Sequence, residues 1–172
     1  MVKRHLSAKI QKYARQYPVI TVTGPRQSGK TTLCRSLFPR LRYISLEDLD
    51  TREDARRDPR GFLAGVSRSG VILDEIQRLP ELLSYIQTVV DKNDRPGQFI
   101  LTGSQNFELM RSVSQTLAGR TALATLLPFS FNEIYKAADP GGIDKMLWTG
   151  FYPRIHAQKL DPQKRETKIN RA

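Results

Sequence analysis

The strongest indication of the fold of this chain is Gly24-Pro25-Arg26-Gln27-Ser28-Gly29-Lys30-Thr31-Thr32. It opens with the pattern Gly-x-x-x-x-Gly-Lys-Thr of a phosphate-binding loop, the Walker A motif. An apolar run precedes the stretch at 18–23, and a helix-like run follows it at 33–38. Because such a loop requires a strand before it and a helix after it, the whole stretch is predicted to bind the phosphates of a nucleotide.

The chemistry of phosphate binding explains the spacing within this loop. Gly24 and Gly29 let the backbone wrap closely around an anion, and the helix that begins near Lys30 adds the positive end of its dipole. Lys30 is predicted to bridge the β- and γ-phosphate oxygens. The Thr31 hydroxyl is predicted to ligate Mg²⁺, and Thr32 is expected near the α-phosphate.

A second motif supplies the groups that hydrolysis needs. The apolar run 71–73 ends in Asp74 and Glu75, the pattern of a Walker B strand. Asp74 is predicted to hold Mg²⁺ through water beside Thr31, and Glu75 to polarise the attacking water. A nucleotide-dependent switch without turnover does not need the second acid, so the pair favours hydrolysis over binding alone.

A third strand-like run, 99–104, ends in hydroxyl-bearing residues. If it lies beside the Asp-Glu strand, Thr102 is placed near the γ-phosphate and the attacking water, with Ser104 as the second choice. The other interpretation is a turn at the end of a strand. Thr102 is therefore predicted to be a catalytic residue together with Lys30 and Glu75.

Short β-branched runs alternate with helix-like stretches along the chain. The strand-like runs are 18–23, 41–46, 70–74, 97–102 and 120–127. Residues 49–66 are expected to form two short helices broken at Pro59, and 80–93 a helix with Pro80 at its first position. This alternation predicts an α/β fold in which helices cover both faces of a parallel sheet.

The two ends of the chain differ from its centre. Leu6, Ile10, Tyr13 and Tyr17 recur at near-helical spacing, so residues 1–17 are predicted to form an amphipathic helix packed on a core of residues 18–156. Residues 157–172 are basic and contain few apolar side chains. They are expected to be a poorly ordered tail or the truncated start of a C-terminal domain.

Composition limits the class of protein. Most of the net charge of +11 lies in the two ends, where basic side chains are usually solvated, so nucleic-acid binding is an alternative but not the favoured one. The sequence has no apolar run of the length of a membrane span or a secretory signal. The single cysteine, Cys34, gives no intramolecular disulfide. The chain is therefore expected in the cytoplasm and away from membranes.

Taken in order, these motifs resemble the AAA+ superfamily of P-loop ATPases. More closely, they resemble the prokaryotic AAA-type ATPases that carry an uncharacterised C-terminal domain, over about Pro18 to Pro153. The stretches that carry the resemblance are 24–33, 43–48, 74–77, 101–104, 117–120 and 127–134. The resemblance implies a three-layer P-loop NTPase fold with a five-stranded parallel sheet of order 5-1-4-3-2. It also implies ATP or ADP as the nucleotide and Mg²⁺ as the metal.

The resemblance further implies an arginine finger. In AAA+ rings such an arginine lies near the start of the fifth strand and reaches the γ-phosphate of the next subunit, and Arg120 falls at this place. A guanidinium supplied by a neighbour stabilises the charge of phosphoryl transfer, so hydrolysis would depend on a homo-oligomer. Arg111 is the alternative finger. The other interpretation of Arg120 is a surface arginine at the end of a strand.

The sequence leaves more than one function open. Family members usually continue well beyond the ATPase core, so this chain is expected to be a shortened member or to depend on partner chains. The favoured function is a Mg²⁺-dependent ATPase coupled to oligomer assembly or to a partner. The alternative is a nucleotide-gated interaction or nucleic-acid-binding module with little hydrolysis. A small-molecule kinase is weaker because the sequence shows no arginine-rich lid.

Overall fold

The computed structural model describes residues 2–67, 69–104, 107–135 and 142–158, so the tail predicted from residue 157 lies outside it from residue 159 onward. A parallel sheet forms the centre of this part of the chain. Its strands are β1 (Val19–Gly24), β2 (Arg42–Ser45), β3 (Val71–Asp74), β4 (Phe99–Ser104) and β5 (Thr121–Thr125). They lie in the order β2-β3-β4-β1-β5, and all neighbours are parallel. The predicted fold and strand order are confirmed.

Helices connect the strands. Before β4 they are α1 (Leu6–Tyr13), α2 (Lys30–Leu37), α3 (Leu49–Arg57), α4 (Pro59–Ser67), the short 3-10 helix Ile76–Arg78 and α5 (Leu82–Lys92). After β4 they are α6 (Phe107–Thr116), α7 (Phe131–Ile134), α8 (Ile143–Thr149) and α9 (Pro153–Gln158). None of the helices in the described ranges is long and apolar enough to cross a bilayer.

Local sequence signals account for several helix ends. The break predicted at Pro59 separates α3 from α4, and Asp58 between them accepts a hydrogen bond from Gly61 N at 2.9 Å. Asp48 starts α3 by accepting a hydrogen bond from Thr51 N at 2.8 Å. The helix predicted from Pro80 begins two residues later, at Leu82. Its entry is a tight turn in which Leu83 N donates to Pro80 O at 3.0 Å.

Each face of the sheet carries its own apolar layer, because successive residues of a strand point to opposite faces. Leu101 of β4 belongs to the layer that contains residues of α4, α5 and α6. Ile100, its neighbour in β4, belongs to the opposite layer with residues of α1 and α2. Ile10 is fully buried there, so α1 packs against the sheet.

The parallel arrangement places three strand ends at one edge of the sheet. Gly24 at the end of β1 pairs in register with Ser104 at the end of β4, and β3 beside β4 ends in Asp74. In open α/β sheets, ligands bind outside the carboxyl ends of the strands. The phosphate loop and the Asp-Glu pair therefore lie at the same edge.

Candidate functional site

The predicted phosphate loop lies between β1 and α2. Gly29 has φ +91° and Gln27 has φ +63°, so two residues of the loop adopt the left-handed backbone that favours glycine. Ser28 between them is fully buried, and its hydroxyl has no hydrogen-bond partner among the described residues. A buried hydroxyl in this position suits a loop that binds an oxygen-rich ligand.

Gly24 has a structural reason of its own to be glycine. A Cβ placed on it would lie 2.1 Å from the carbonyl oxygen of Leu126, just after β5. Leu126 N donates to Thr23 O at 2.7 Å, which fixes this close approach. From the sequence, Gly24 is expected to let the backbone wrap around an anion. The structure adds that only glycine lets the chain after β5 pass this close to the loop.

Lys30 is almost fully buried at the start of α2, with 5% of its surface exposed. Its Nζ donates to the carbonyl oxygens of Gly24 at 3.1 Å and Pro25 at 2.9 Å. Burial lowers the pKa of Lys30, and the carboxylates of Glu75 and Asp74 partly offset this effect. Phosphate oxygens are better partners for this ammonium than two carbonyl groups, since they also carry charge.

Hydroxyl groups surround the carboxylate of Asp74, of which 6% is exposed. Thr31 Oγ1 donates to it at 2.9 and 3.0 Å, and Thr102 Oγ1 donates to Oδ1. The structure thus brings together Thr31, Asp74 and Thr102. The third donor is Tyr43, whose hydroxyl lies 2.8 Å from Oδ2. Burial and this hydrogen bond raise the pKa of Tyr43 to about 12, so the phenol keeps its proton at neutral pH.

Both the backbone N–H and the carboxylate of Glu75 form hydrogen bonds. Its backbone has φ +60°, an uncommon value for a residue with a side chain, and its N–H donates to Thr102 Oγ1 at 3.3 Å. Its carboxylate accepts a hydrogen bond from Gln77 Nε2. Ser104, the second choice for the γ-phosphate contact, binds this same glutamine through its hydroxyl at 3.3 Å.

A cleft of about 1630 Å³ opens beside the loop. From the loop and the end of β3, its lining contains Arg26, Gln27, Gly29, Lys30, Thr31, Thr32 and Glu75. The lining also contains residues of the N-terminal segment, of the chain from Phe129 to Ile134 and of α9. A cleft of this size exceeds the several hundred Å³ of a typical small-molecule site, so it accommodates a nucleotide.

Arg4 connects the phosphate loop to the chain that follows β5. Its guanidinium is buried and donates to Ser28 O of the loop at 2.9 Å, to Leu127 O, and to Pro128 O at 3.3 Å. It also pairs with the buried carboxylate of Glu133 at 3.3 Å. Glu133 additionally accepts hydrogen bonds from the N–H groups of His5 at 2.6 Å and Ser130 at 2.9 Å. One ion pair thus joins the N-terminus, the loop and α7.

Arg120 lies away from this site. It precedes Thr121, which pairs with Val19 at the amino end of β1, whereas the loop follows the other end of β1. The length of this strand, about 17 Å, separates the two. The Arg120 guanidinium binds Asp91 of α5, with Nη2 3.0 Å from Oδ2, and Ala118 O at 3.0 Å. The structure does not bring Arg120 to its own phosphate loop. The alternative, Arg111, is exposed on α6.

The donor set at Asp74 fits a magnesium ion bound together with a nucleotide. Mg²⁺ in nucleotide sites is commonly held by one or two carboxylates, with phosphate and water oxygens completing the shell. Thr31 and Asp74 supply a hydroxyl and a carboxylate side by side. Within the described residues, no group of three or more His, Cys, Asp or Glu side chains is placed to hold a metal by itself. The phosphates of a nucleotide would therefore have to contribute ligands.

The contacts of four residues were not predicted from the sequence: Tyr43, Gln77, Arg4 and Glu133. Tyr43 and Gln77 lie within the stretches that carry the family resemblance, but nothing local shows which atoms they contact. Glu133 had a usable signal, since Ser130-x-x-Glu133 has the spacing of a capping box, and both of its hydrogen bonds are present. Arg4 had no signal, because it looks like one more basic residue of a basic segment.

A family model described as an AAA domain matches residues 16–135, more than half of the chain. Among curated proteins, the chain is 34% identical over 139 residues to the uncharacterized proteins Rv2008c of Mycobacterium tuberculosis and Mb2031c of Mycobacterium bovis. The match covers 79% of this chain and 31% of each relative. The chain thus spans less than a third of the length of these relatives.

Solved structures show the same fold at low sequence identity. The Walker-type ATPase PABY2304 of Pyrococcus abyssi superposes with a TM-score of 0.56 and 18% identity, over 79% of this chain and 56% of that chain. AMPPCP-bound DnaA from Aquifex aeolicus superposes with a TM-score of 0.57 and 16% identity, over 96% of this chain and 62% of that chain. At such identities the likeness is one of fold.

Proposed function

The chain belongs to the AAA domain family, and from this premise we propose that it binds ATP and, with Mg²⁺, hydrolyses it to ADP and phosphate. The observation that supports this most strongly is the cluster around Asp74. A carboxylate, the Thr31 hydroxyl and the Thr102 hydroxyl meet there beside the loop that carries Lys30. Sequence-distant residues of the types that ATP hydrolysis requires are thus gathered at one sheet edge.

In this proposal the loop residues 24–32 bind the phosphates. The backbone N–H groups at the start of α2 face the anion, and Lys30 exchanges its two carbonyl partners for β- and γ-phosphate oxygens. Thr31 and Asp74 hold the metal, and Thr32 lies near the α-phosphate. Bound Mg²⁺ would neutralise charge that develops on the phosphate oxygens.

Glu75 is proposed to orient the attacking water and accept its proton. It follows the metal-binding Asp74 directly, and its backbone N–H is fixed by Thr102. Thr102 is proposed to couple the two acids, since its hydroxyl also donates to Asp74. Water attacks the γ-phosphorus in line with the leaving β-phosphate oxygen, so the bond between this oxygen and the γ-phosphorus breaks and ADP leaves.

One observation favours the alternative of a nucleotide-gated module with little hydrolysis. Arg120 is bound to Asp91 at the amino edge of the sheet, whereas the phosphate loop lies at the carboxyl edge. It therefore cannot reach a nucleotide bound by its own chain. An isolated chain is therefore proposed to bind nucleotide well and to hydrolyse it slowly. A homo-oligomer in which a neighbour supplies Arg120 is proposed to be the efficient ATPase. A cytoplasmic location stays a prediction from composition.

ATP turnover measured over a series of protein concentrations tests this function, with Glu75→Gln as the decisive variant. Turnover should rise with protein concentration and fall at least about 100-fold in the variant, because a positioned general base contributes about that much. Affinity for ATP should stay unchanged in the variant. Glu108→Gln is the matched control, since Glu108 is an exposed glutamate of α6, and it should keep full turnover.

Each other result has a definite meaning. Tight ATP binding without turnover at any concentration would replace the ATPase with the nucleotide-gated module. Turnover that survives Glu75→Gln would overturn the role of Glu75. A chain that does not bind ATP, tested with Lys30→Ala as the reference for lost binding, would overturn the whole proposal.

A further inference from the structure

Two stretches that carry the family resemblance are joined by hydrogen bonds at the carboxyl edge of the sheet. They are Asp74-Glu75-Ile76-Gln77, at the end of β3, and Leu101-Thr102-Gly103-Ser104, at the end of β4. Asp74, Glu75 and Thr102 have roles in the proposed function. Gln77, Gly103 and Ser104 have none, yet the side chain of Gln77 lies between Glu75 and Ser104.

The nitrogen and the oxygen of the Gln77 carboxamide both form hydrogen bonds. Nε2 donates to the carboxylate of Glu75 and, at 3.3 Å, to Ser104 Oγ. Oε1 accepts a hydrogen bond from Ser104 N at 3.3 Å. A primary amide has two N–H donors, and both are engaged here. The amide is therefore fixed by β4 and presents its remaining N–H to Glu75.

Gly103 makes room for this arrangement. A Cβ placed on Gly103 would lie 2.7 Å from Gln77 Oε1 and 2.5 Å from a methyl carbon of Leu109. Any larger residue would therefore push the amide away from β4. Both atoms are ends of flexible side chains, so the fold itself tolerates such a shift.

The end of β4 thus holds both ends of Glu75. Thr102 holds its backbone N–H directly, and Ser104 holds its carboxylate through Gln77. Thr102 and Ser104 are two positions apart on a strand, so they project from the same face. The carboxylate is the part of the Glu75 side chain that could act on water. Gln77 donates a hydrogen bond to this carboxylate and so bears on the direction in which it points.

From these contacts we infer that Gln77 is a positioning residue, which fixes the carboxylate of Glu75 in a direction set by the end of β4. This inference rests on the proposed role of Glu75 as the group that orients water. It assigns Gln77 no contact with the nucleotide. Loss of Gln77 should therefore slow the chemical step and leave nucleotide binding intact.

The kinetic test is Gln77→Met, which keeps the length of the side chain and removes the amide. We expect kcat to fall about 10-fold or more, because misplacing a catalytic group by about 1 Å can cost up to about 100-fold. The KM for ATP and the affinity for ADP should stay within about twofold of the wild type. The matched control is Gln87→Met on α5, which should leave both constants unchanged. An unchanged kcat in Gln77→Met, or a loss that appears only in KM, would overturn the inference.

A double-mutant cycle tests the connection to β4. Ser104→Ala should lower kcat by less than Gln77→Met does. In the Gln77→Met background, Ser104→Ala should cause no further loss, since its effect is transmitted through the missing amide. Losses that multiply in the double variant would overturn the path through Gln77.

A spectroscopic measurement decides the contact without any turnover. In the ¹⁵N-labelled protein, the side-chain amide signal that disappears in Gln77→Met belongs to Gln77. This signal should shift in Glu75→Gln and in Ser104→Ala, and stay in place in Glu108→Gln. If the chain does not hydrolyse ATP but the signal shifts as expected, the proposed function fails and the contact stands. If wild-type turnover is lost in Glu75→Gln but the signal does not move, the inference about Gln77 fails alone.

Discussion

Asp74 shows how much one carboxylate depends on residues that are distant in the sequence. Its three hydroxyl donors come from the phosphate loop, β2 and β4. A carboxylate that accepts several hydrogen bonds is fixed in orientation before any metal binds. Tyr43 differs from the two threonines because its ring also stacks under the guanidinium of Arg35, with 4.8 Å from Cζ to the ring centroid. Both its hydroxyl and its ring therefore have a partner.

At this scale we predict that Tyr43→Phe weakens the response to Mg²⁺. Without the phenol, Oδ2 of Asp74 loses a donor, and loss of such outer contacts typically costs about 10-fold in metal affinity. The Mg²⁺ concentration at half-maximal turnover should rise by about that factor. Binding of ATP measured without metal should not change. The measurement is a Mg²⁺ titration of ATPase activity together with ATP binding in the presence of a chelator.

Tyr85→Phe is the control for this prediction, since Tyr85 lies on α5 and packs against the apolar core. It should titrate like the wild type. Equal Mg²⁺ dependence in Tyr43→Phe and the wild type would show that the phenol does not orient Asp74.

At the scale of elements, the pair Arg4 and Glu133 joins segments that the chain keeps far apart. Arg4 precedes α1, and Glu133 lies in α7 after β5. The ion pair is buried. Arg4 also donates to backbone carbonyl groups of the loop and of residues 127 and 128, and Glu133 also accepts from the backbone N–H groups of His5 and Ser130. Burial raises the cost of ionising Glu133, but the N–H groups of Ser130 and His5 and the Arg4 guanidinium outweigh it, so the pKa of Glu133 is lowered.

We predict that Glu133→Gln destabilises the fold in a pH-dependent way. Removing one partner of a buried ion pair costs about 3 kcal/mol at neutral pH, because the remaining charge is uncompensated. The pKa of Glu133 is depressed in the folded state, so its contribution is present above the ordinary glutamate value of about 4.3 and is lost as the pH falls through the folded value. The gap in unfolding free energy between wild type and variant should therefore close in acid.

Chemical denaturation at about pH 7 and about pH 3 measures this gap. Glu108→Gln serves as the control and should match the wild type at neutral pH. A gap of the same size at both pH values would show that the charge of Glu133 does not stabilise the fold.

The helices show which element boundaries follow from local chemistry. The break predicted at Pro59 is confirmed, and this proline starts α4, because its ring fixes a helical φ and its missing N–H is not needed in a first turn. Pro80 carries the same local signal, yet α5 starts at Leu82. Leu79 before it and Leu82 and Leu83 after it are buried. Packing of this corner against the core therefore decides where the regular helix begins.

For the molecule as a whole, Arg120 lies too far from its own phosphate loop for a contact. It lies at the amino edge of the sheet, and the loop lies at the carboxyl edge. A contact from Arg120 of one copy to the loop of another is head-to-tail, the type of contact that generates rings or filaments. The relatives in mycobacteria are more than three times as long as the matched region.

We predict that Arg120→Ala and Glu75→Gln complement each other when mixed. Arg120→Ala alone should lose about 1,000-fold in turnover if the arginine acts as a finger. Glu75→Gln alone should lose about 100-fold if the glutamate acts as a base. In a mixed oligomer, an intact Arg120 from one subunit meets an intact Glu75 of its neighbour, so activity should return. The measurement is ATP turnover of the two variants alone and mixed in equal amounts.

Asp91→Asn and Arg111→Ala are the matched controls. Asp91→Asn breaks the same exposed ion pair but keeps the arginine, so it should retain turnover. Arg111→Ala tests the alternative finger and should also retain turnover. Full activity of Arg120→Ala alone, or loss of activity in Arg111→Ala with recovery on mixing, would assign the finger elsewhere.

The sequence alone predicts the fold class, the strand order through the family resemblance, and the positions of Lys30, Thr31, Asp74 and Thr102 at one edge of the sheet. These follow from local patterns, because a glycine-lysine loop between strand and helix and acids at a strand end occupy fixed places in a parallel sheet. Their roles in catalysis stay predictions.

Which side chains are in contact is seen only in the folded chain. The hydroxyl of Tyr43 lies on Asp74, the amide of Gln77 lies on Ser104, and the guanidinium of Arg4 lies on Ser28 O and Glu133. These contacts join residues that are 24 to 129 positions apart in the chain. The folded chain also shows that the close approach of Leu126 O requires a glycine at position 24. It shows as well that Arg120 binds Asp91 and lies away from its own loop. Such contacts depend on the register and packing of whole elements, which no local pattern of residues specifies.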